Sequence, residues 1–408
     1  MVNNVKIIIG ANYGDEGKGL ATNFFCRNEI EKKNKKVLNI LCNGGAQRGH
    51  TVYAPYSAKD QRHVFSHFGS GSFAGAVTYC GRDFMINPIA FNREWKNLIS
   101  YILCYPISPY CYIDPECRIT TPFDMYTNGL IETKRGEKRH GSCGMGIFET
   151  MNRYKENAFE LRAKDVFSLS DKDMKDWIRH VSAYHKKRLI EYGIYETIPH
   201  QEMCERNFLI DIKIMRSRTI LKSLEELWGD FDTAVFEAGQ GLALSADNEK
   251  GMPFLTPSLT TSERPVKDTW RNSKDLPPIE ICYVTRSYFT RHGAGGFPSE
   301  CSKKEINDKI IDATNVPNEY QKSIRYGKFE VGEFLERINR DYGKSAKILP
   351  PPSKTKLKKS LFVTHLNYTN GDLCGNCGLD DIGSSFDKLY LSSDEYGENV
   401  DVVVKMQF

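Results

Sequence analysis

The chain is expected to adopt an α/β fold: a large, mostly parallel central sheet, a P-loop-like phosphate turn, helical insertions, and loops gathered at the C-terminal ends of the strands. Three observations carry this expectation. Apolar runs at 5–9, 37–42, 233–237, 279–285 and 361–366 each stop at a glycine-rich or polar loop, as buried parallel strands do. The opening string VKIIIGANYGDEGKGLATNFF passes from the first run through a glycine-rich turn into a helical pattern. A length of 408 residues with 40% hydrophobic content supplies a sizeable core, read as a single domain over 1–408.

The first strand ends where the backbone amides of Gly14 to Gly19, the Lys18 ammonium and the Asp15 carboxylate share one tight turn. Such a turn at a helix start cradles phosphate. It departs from a Walker A loop, because Asn12 stands five residues before Gly17 and Lys18 is followed by Gly19 rather than Ser or Thr. The second strand runs into NGGAQRGHTVY, which places His50 behind a glycine-rich bend. A helical insertion over about 151–230 follows, with helices expected around 171–192 and 207–228. The remaining strands lead into VFEAGQGLALSAD, TRHGAGGFPSE and SLFVTHLN. The stretch 344–359, with three consecutive prolines and six lysines, reads as a solvated linker.

Composition narrows the function. With 56 basic and 52 acidic side chains the net charge is only +4, so charge does not indicate nucleic-acid binding. No apolar run reaches membrane-spanning length, and the first one is too short for a signal-peptide core, so a cytoplasmic location is expected. The twelve cysteines are scattered without a disulfide framework and read as reduced thiols. Cys374 and Cys377 form one CxxC, but no second pair completes a zinc ribbon.

Taken singly, Asp15 is a helix cap and His50 a locally satisfied histidine. Together, and in this order, the motifs resemble the adenylosuccinate synthetases, which join aspartate to C6 of a purine nucleotide. The NYGDEGKG and GGAQRGHT strings, the 235–247 segment, MPFLT at 252–256 and TRHGAGGFPSE at 290–300 carry the resemblance. It implies a ligase that is a homodimer, uses Mg2+, and takes a purine nucleoside monophosphate, a nucleoside triphosphate and L-aspartate.

The resemblance also assigns roles. Asp15 removes the N1 proton and ligates Mg2+ with the Gly49 carbonyl. His50 donates to the developing 6-oxyanion, while Lys18 with Gly14, Glu16, Gly17 and Gly19 holds the transferred phosphoryl group. Gln240 touches the purine, and Thr256, Ser142 and Cys143 lie near its 5'-phosphate. Arg153 reaches the neighbouring subunit's site. Gln47 and Arg48 replace an Asn-Ala pair, and an arginine there can meet a phosphate or the base, or point to solvent. The aspartate loop falls on 312–327, with Thr314, Asn315 and Arg325 as ligands and Lys322 or Arg291 as supplements.

The donor site departs from the family pattern. Where guanine is read by a Lys-x-Asp triplet, this chain has His365-Leu366-Asn367. Asn cannot accept two hydrogen bonds as a carboxylate does, but it matches the donor–acceptor edge of adenine. ATP therefore becomes the expected donor in place of GTP. This places the chain near the phage relatives that condense aspartate with dGMP to give N6-succino-2-amino-2'-deoxyadenylate. Asp15, often Ser in that branch, points instead to IMP, and a nucleotide-binding regulator without turnover remains a third reading.

Overall fold

The structure, a computed structural model, describes all residues except 55–61, 109, 157–158, 197, 313–314, 316–322, 376, 395–396 and 405–408. Its centre is a ten-stranded sheet. The order is Val400–Val404, Lys388–Ser392, Leu357–Thr364, Ile279–Arg286, Asn4–Gly10, Thr233–Glu237, Val37–Leu41, Val77–Cys80, Cys111–Ile113 and Thr219–Leu221. Every neighbouring pair is parallel except the first, which is antiparallel and forms one edge.

The first strand sits in the middle because both of its faces are apolar. Val5, Ile7 and Ile9 join a core that includes Phe334 and Ile338, whereas Ile8 joins the core on the other face with Leu20, Ala21 and Phe25. Alternate residues of a strand point to opposite faces, so helices can cover both sides. Helices Glu263–Asn272 and Val331–Ile348 contribute Val266, Phe334 and Ile338 to one face. Helix Lys18–Arg27 covers the other. In register, Gly10 lies beside Val284, and Ile8 lies beside Glu237, which in turn lies beside Leu41. The loops after these central strands therefore leave the sheet at one end.

The helical insertion departs from expectation in its second half. One helix runs Asp171–Glu191, but the next occupies Gln201–Ser217 rather than 207–228. Its buried set, Phe208, Leu209, Ile212 and Met215, ends at Met215, so nothing apolar holds a further turn to the core. Thr219–Leu221 instead forms the edge strand beside Cys111–Ile113, and Ser223 caps a short helix at Leu224–Leu227. Helices Pro122–Arg135 and Ile147–Lys155 precede this pair.

The expected linker at 344–359 is not a linker. Residues 344–348 complete helix Val331–Ile348, 351–356 form a 3-10 turn, and 357–359 open strand Leu357–Thr364 inside the main sheet. The lysines face outward while the apolar face packs inward, so charge alone misread an amphipathic helix. Buried Asp341 fixes that helix through Ser262 and the Tyr283 hydroxyl at 2.7 Å.

Candidate active site

A cavity of about 480 Å³ opens at the C-terminal ends of the central strands, the place where open α/β sheets bind ligands. Its floor is the turn after the first strand. Gly14, Asp15 and Gly17 have φ of 93°, 56° and 91°, in the left-handed region that strains a non-glycine residue such as Asp15. A Cβ on Gly17 would lie 2.8 Å from the Thr364 methyl, so the turn can press against the strand end only with glycine there. Helix Lys18–Arg27 starts at this point and directs its positive end into the cavity.

Glu16 plays a different part from the one expected. Its carboxylate is buried, accepts from the Asn12 amide, and lies 3.3 Å from the Lys18 ammonium. Burial raises its pKa against the pull of Lys18. An anion so placed repels phosphate, so its side chain orients Lys18 rather than holding the phosphoryl group. The Glu16 carbonyl is fixed by the Thr364 hydroxyl at 2.9 Å.

His50 begins strand His50–Tyr53 and meets residues from two other elements. Its Nδ1 is 2.6 Å from Glu237 Oε1, and Arg48 Nη2 is 2.7 Å from the same oxygen. Ser70 donates its hydroxyl to that oxygen, while the Ser70 amide and Asn39 Nδ2 donate to Oε2. Burial would raise the Glu237 pKa, but Arg48 and His50 outweigh it and hold the carboxylate ionised. Glu237 can only accept, and Arg48 Nη2, 3.0 Å from His50 Nδ1, can only donate. The shorter contact to the carboxylate places the hydrogen on His50 Nδ1, leaving Nε2 as the nitrogen available to a ligand. Burial and then the Arg48 cation lower the His50 pKa to about 4, although Glu237 pulls the other way. Arg48 is thus buried rather than pointing to solvent, and it lines the cavity with Nε and Nη1 lacking a protein partner.

The residues expected beside the purine converge. A Cβ on Gly44 would lie 3.2 Å from Gln47 Nε2 and 3.4 Å from Gln240 Oε1. Both amide atoms of Gln47 and the Oε1 of Gln240 are buried without a hydrogen-bond partner, a costly state that a base edge would relieve. Thr256, Ser142 and Cys143 line the same cavity. Ser142 donates its hydroxyl to Asn128 Oδ1 at 2.7 Å, and the amides of Gly141 and Ser142 both donate to Glu132.

Arg153 and Arg325 do not reach the cavity. Arg153 is fully buried, donating to both oxygens of Asp124 and to the carbonyls of Ile119 and Phe159. His185 Nε2 lies 2.9 Å from the same carboxylate. A cation so enclosed is internal structure and cannot extend into a neighbouring subunit. Arg325 pairs with Glu300 through Nε and Nη2 and donates Nη1 to the carbonyls of Gly293 and Gly295, which leaves its donors committed away from the cavity.

Asn315 does line the cavity, whereas Thr314 and Lys322 lie outside the described residues. The arginines at the cavity wall are Arg48, Arg135, Arg286 and Arg291. Arg286 donates to the Asp15 carbonyl and, at 2.9 Å, to Asp312 Oδ2, while Arg291 donates to the carbonyls of Ala294 and Gly296. On the donor side His365, with φ of 62°, lines the cavity and shares a 2.8 Å contact with the Thr364 hydroxyl. Asn367 is exposed just beyond it, off the cavity wall.

Sequence reasoning missed Glu237, Arg286 and His292. Glu237 had a visible signal, an acid ending an otherwise apolar strand. Arg286 had a comparable one at the end of 279–285. For the expected Mg2+, Asp15 and the exposed backbone of Gly49 face the same cavity and offer hard oxygen donors. No cluster of three or more His, Cys, Asp or Glu suited to a metal occurs among the described residues. Asp15 and Gly49 therefore fit an ion that keeps phosphate and water ligands, as Mg2+ does.

The sequence profile of the adenylosuccinate synthetase family matches residues 7–345. An adenylosuccinate synthetase of Psychrobacter arcticus is 27% identical over 308 residues, 72% of this chain and 64% of that protein. One from Azobacteroides pseudotrichonymphae is 26% identical over 326 residues, 78% and 70% of the two chains. The chain thus spans just under two thirds of the Psychrobacter relative. Among solved structures, fully ligated adenylosuccinate synthetase from Plasmodium falciparum superposes with a TM-score of 0.66 at 17% identity, covering 98% of this chain and 87% of that one. The cyanophage S-2L succinoaminodeoxyadenylate synthetase bound to dGMP and dATP gives 0.64 at 12% identity, covering 99% and 96%.

Proposed function

Because the chain belongs to the adenylosuccinate synthetase family, we propose that it is a C–N ligase joining L-aspartate to C6 of a purine nucleotide through a 6-phosphoryl intermediate. The observation that carries this reading is the meeting of Asp15, Lys18 and His50, the last braced by Glu237, around one cavity. A protein that only bound nucleotides would need no such set.

In the first step the Asp15 carboxylate takes the purine N1 proton, and charge moves onto O6. O6 then attacks the γ-phosphorus, forming O6–P as the bond to the nucleoside diphosphate breaks. Lys18 and the amides of the turn hold the transferred group. His50 keeps its Nδ1–H on Glu237, and a proton taken up from solvent at Nε2 as the anionic substrates bind makes it the imidazolium that donates to the charge growing on O6. In the second step the α-amino group of aspartate forms the C6–N bond while C6–O breaks and phosphate leaves. Mg2+ held by Asp15 and Gly49 would supply charge neutralisation at the phosphates.

The acceptor is proposed to be dGMP and the donor ATP. Support comes from His365-Leu366-Asn367, which offers no carboxylate to guanine at the donor site, and from the fold shared with the phage enzyme bound to dGMP and dATP. IMP with GTP is the second reading, favoured by Asp15. A mass-spectrometric competition with aspartate, Mg2+ and ATP or GTP decides between them. Conversion of dGMP ahead of IMP is expected, with phosphate release requiring all three substrates. Exclusive consumption of IMP would return the protein to adenylosuccinate synthesis, and release without aspartate would remove the ligase reading.

A further inference from the structure

Asp15 is held at both ends by one closed circuit. Arg286 Nε donates to its backbone carbonyl, and Arg286 Nη2 donates to Asp312 Oδ2 at 2.9 Å. Asn315 donates its backbone N–H at 3.1 Å and its Nδ2 at 2.7 Å to the same Asp312 carboxylate. This fixes the Asn315 amide so that its Oδ1 faces His292 Nε2, 3.0 Å away. The circuit closes at Asp15, whose Oδ2 lies 3.5 Å from that nitrogen.

Both atoms facing His292 Nε2 are acceptors, so this nitrogen carries the hydrogen. One N–H cannot make two full-strength bonds in different directions. At rest Asn315 holds it, and Asp15 receives only a long second contact. Any change that draws the Asp15 carboxylate toward His292 weakens the hold on Asn315, and a rearrangement of Asn315 releases the donor to Asp15.

We propose that His292 is a positioning residue that couples the segment bearing Asp312 and Asn315, expected to receive the amino acid, to Asp15, expected to receive the purine. The proposal rests on the ligase reading above and adds that occupancy of one subsite sets the affinity of the other. Such coupling is reciprocal and commonly amounts to about 5- to 150-fold.

The test is equilibrium binding of radiolabelled L-aspartate, with and without dGMP or IMP, in the presence of a non-hydrolysable ATP analogue. In the unmodified protein the purine nucleotide should change aspartate affinity by at least about 5-fold. In His292→Ala the change should fall below about 2-fold, and His292→Gln, which keeps an N–H donor, should restore part of it. Asn315→Ala should reproduce His292→Ala, and it decides the matter should His292→Ala not fold. A loss confined to overall affinity, with coupling intact in both alanine variants, would overturn the proposal, as would absence of coupling in the unmodified protein. If the unmodified protein binds nucleotide but no aspartate in any state, the ligase reading fails and the coupling with it.

Discussion

His50 Nδ1 lies 2.6 Å from Glu237 Oε1, and the two residues are 187 positions apart in the chain. The contact makes Glu237 the residue that sets which imidazole nitrogen faces the ligand. His50→Ala is expected to lower turnover by roughly 100-fold or more with little loss of nucleotide affinity. Glu237→Gln should lower it by at least about 10-fold, again in kcat rather than KM. Because this change leaves buried Arg48 without its counter-ion, steady-state kinetics should be read beside a thermal unfolding curve. Unchanged kcat in folded Glu237→Gln would remove the residue from the mechanism.

Asp15→Asn keeps the size of the side chain and removes the base. Nucleotide binding, followed by calorimetry, should persist while turnover falls by about 100-fold or more. Near-normal turnover would assign the N1 proton to another group.

Asn367 stands exposed at the end of strand Leu357–Thr364. Asn367→Asp should shift the ratio of GTP- to ATP-supported rates toward GTP, by about 5- to 150-fold for a bidentate match of about 1–3 kcal/mol. Strict GTP dependence of the unmodified protein would contradict the donor assignment.

Arg153→Ala should destabilise the fold by about 3–5 kcal/mol, because it leaves the Asp124 carboxylate buried with only His185 as a basic partner. Urea titration measures this. Nucleotide affinity of the folded fraction should stay within about 2-fold of normal, since lost binding is expected only of a cation that reaches ligand.

His67 supplies a pH test away from the cavity. Its Nε2 accepts from the Asn87 amide at 3.0 Å, and burial lowers its pKa from 6.5 to about 4. Between these values the unfolded state binds more protons than the folded one, so stability rises with pH through the window. On acidification the contribution is intact above about 6.5 and declines toward about 4. Urea midpoints across that window should fall less steeply in His67→Gln. Equal slopes in the two proteins would show that His67 does not contribute.

The sequence by itself determined the sheet centre and the phosphate turn. Five apolar runs and the glycines at 14, 17 and 19 are local signals, and periodicity with backbone freedom decides such elements wherever the rest of the chain lies. The strands at 77–80 and 111–113 escaped notice because each is short and gains its stability from the neighbour beside it. The helix ending at Ile348 escaped because lysine-rich composition masked its apolar stripe.

Only the tertiary structure decided who meets whom. Arg48 and Arg153 are both arginines in polar stretches, and nothing local separates them. Parallel pairing of Thr233–Glu237 with Val37–Leu41 brings Glu237 to Arg48 and His50, whereas packing of Ile147–Lys155 against Pro122–Arg135 seals Arg153 onto Asp124. A buried charge takes its role from the partner that the fold supplies, because desolvation makes an unpaired one too costly to keep. Strand order and helix packing supply those partners, across separations that no local pattern encodes.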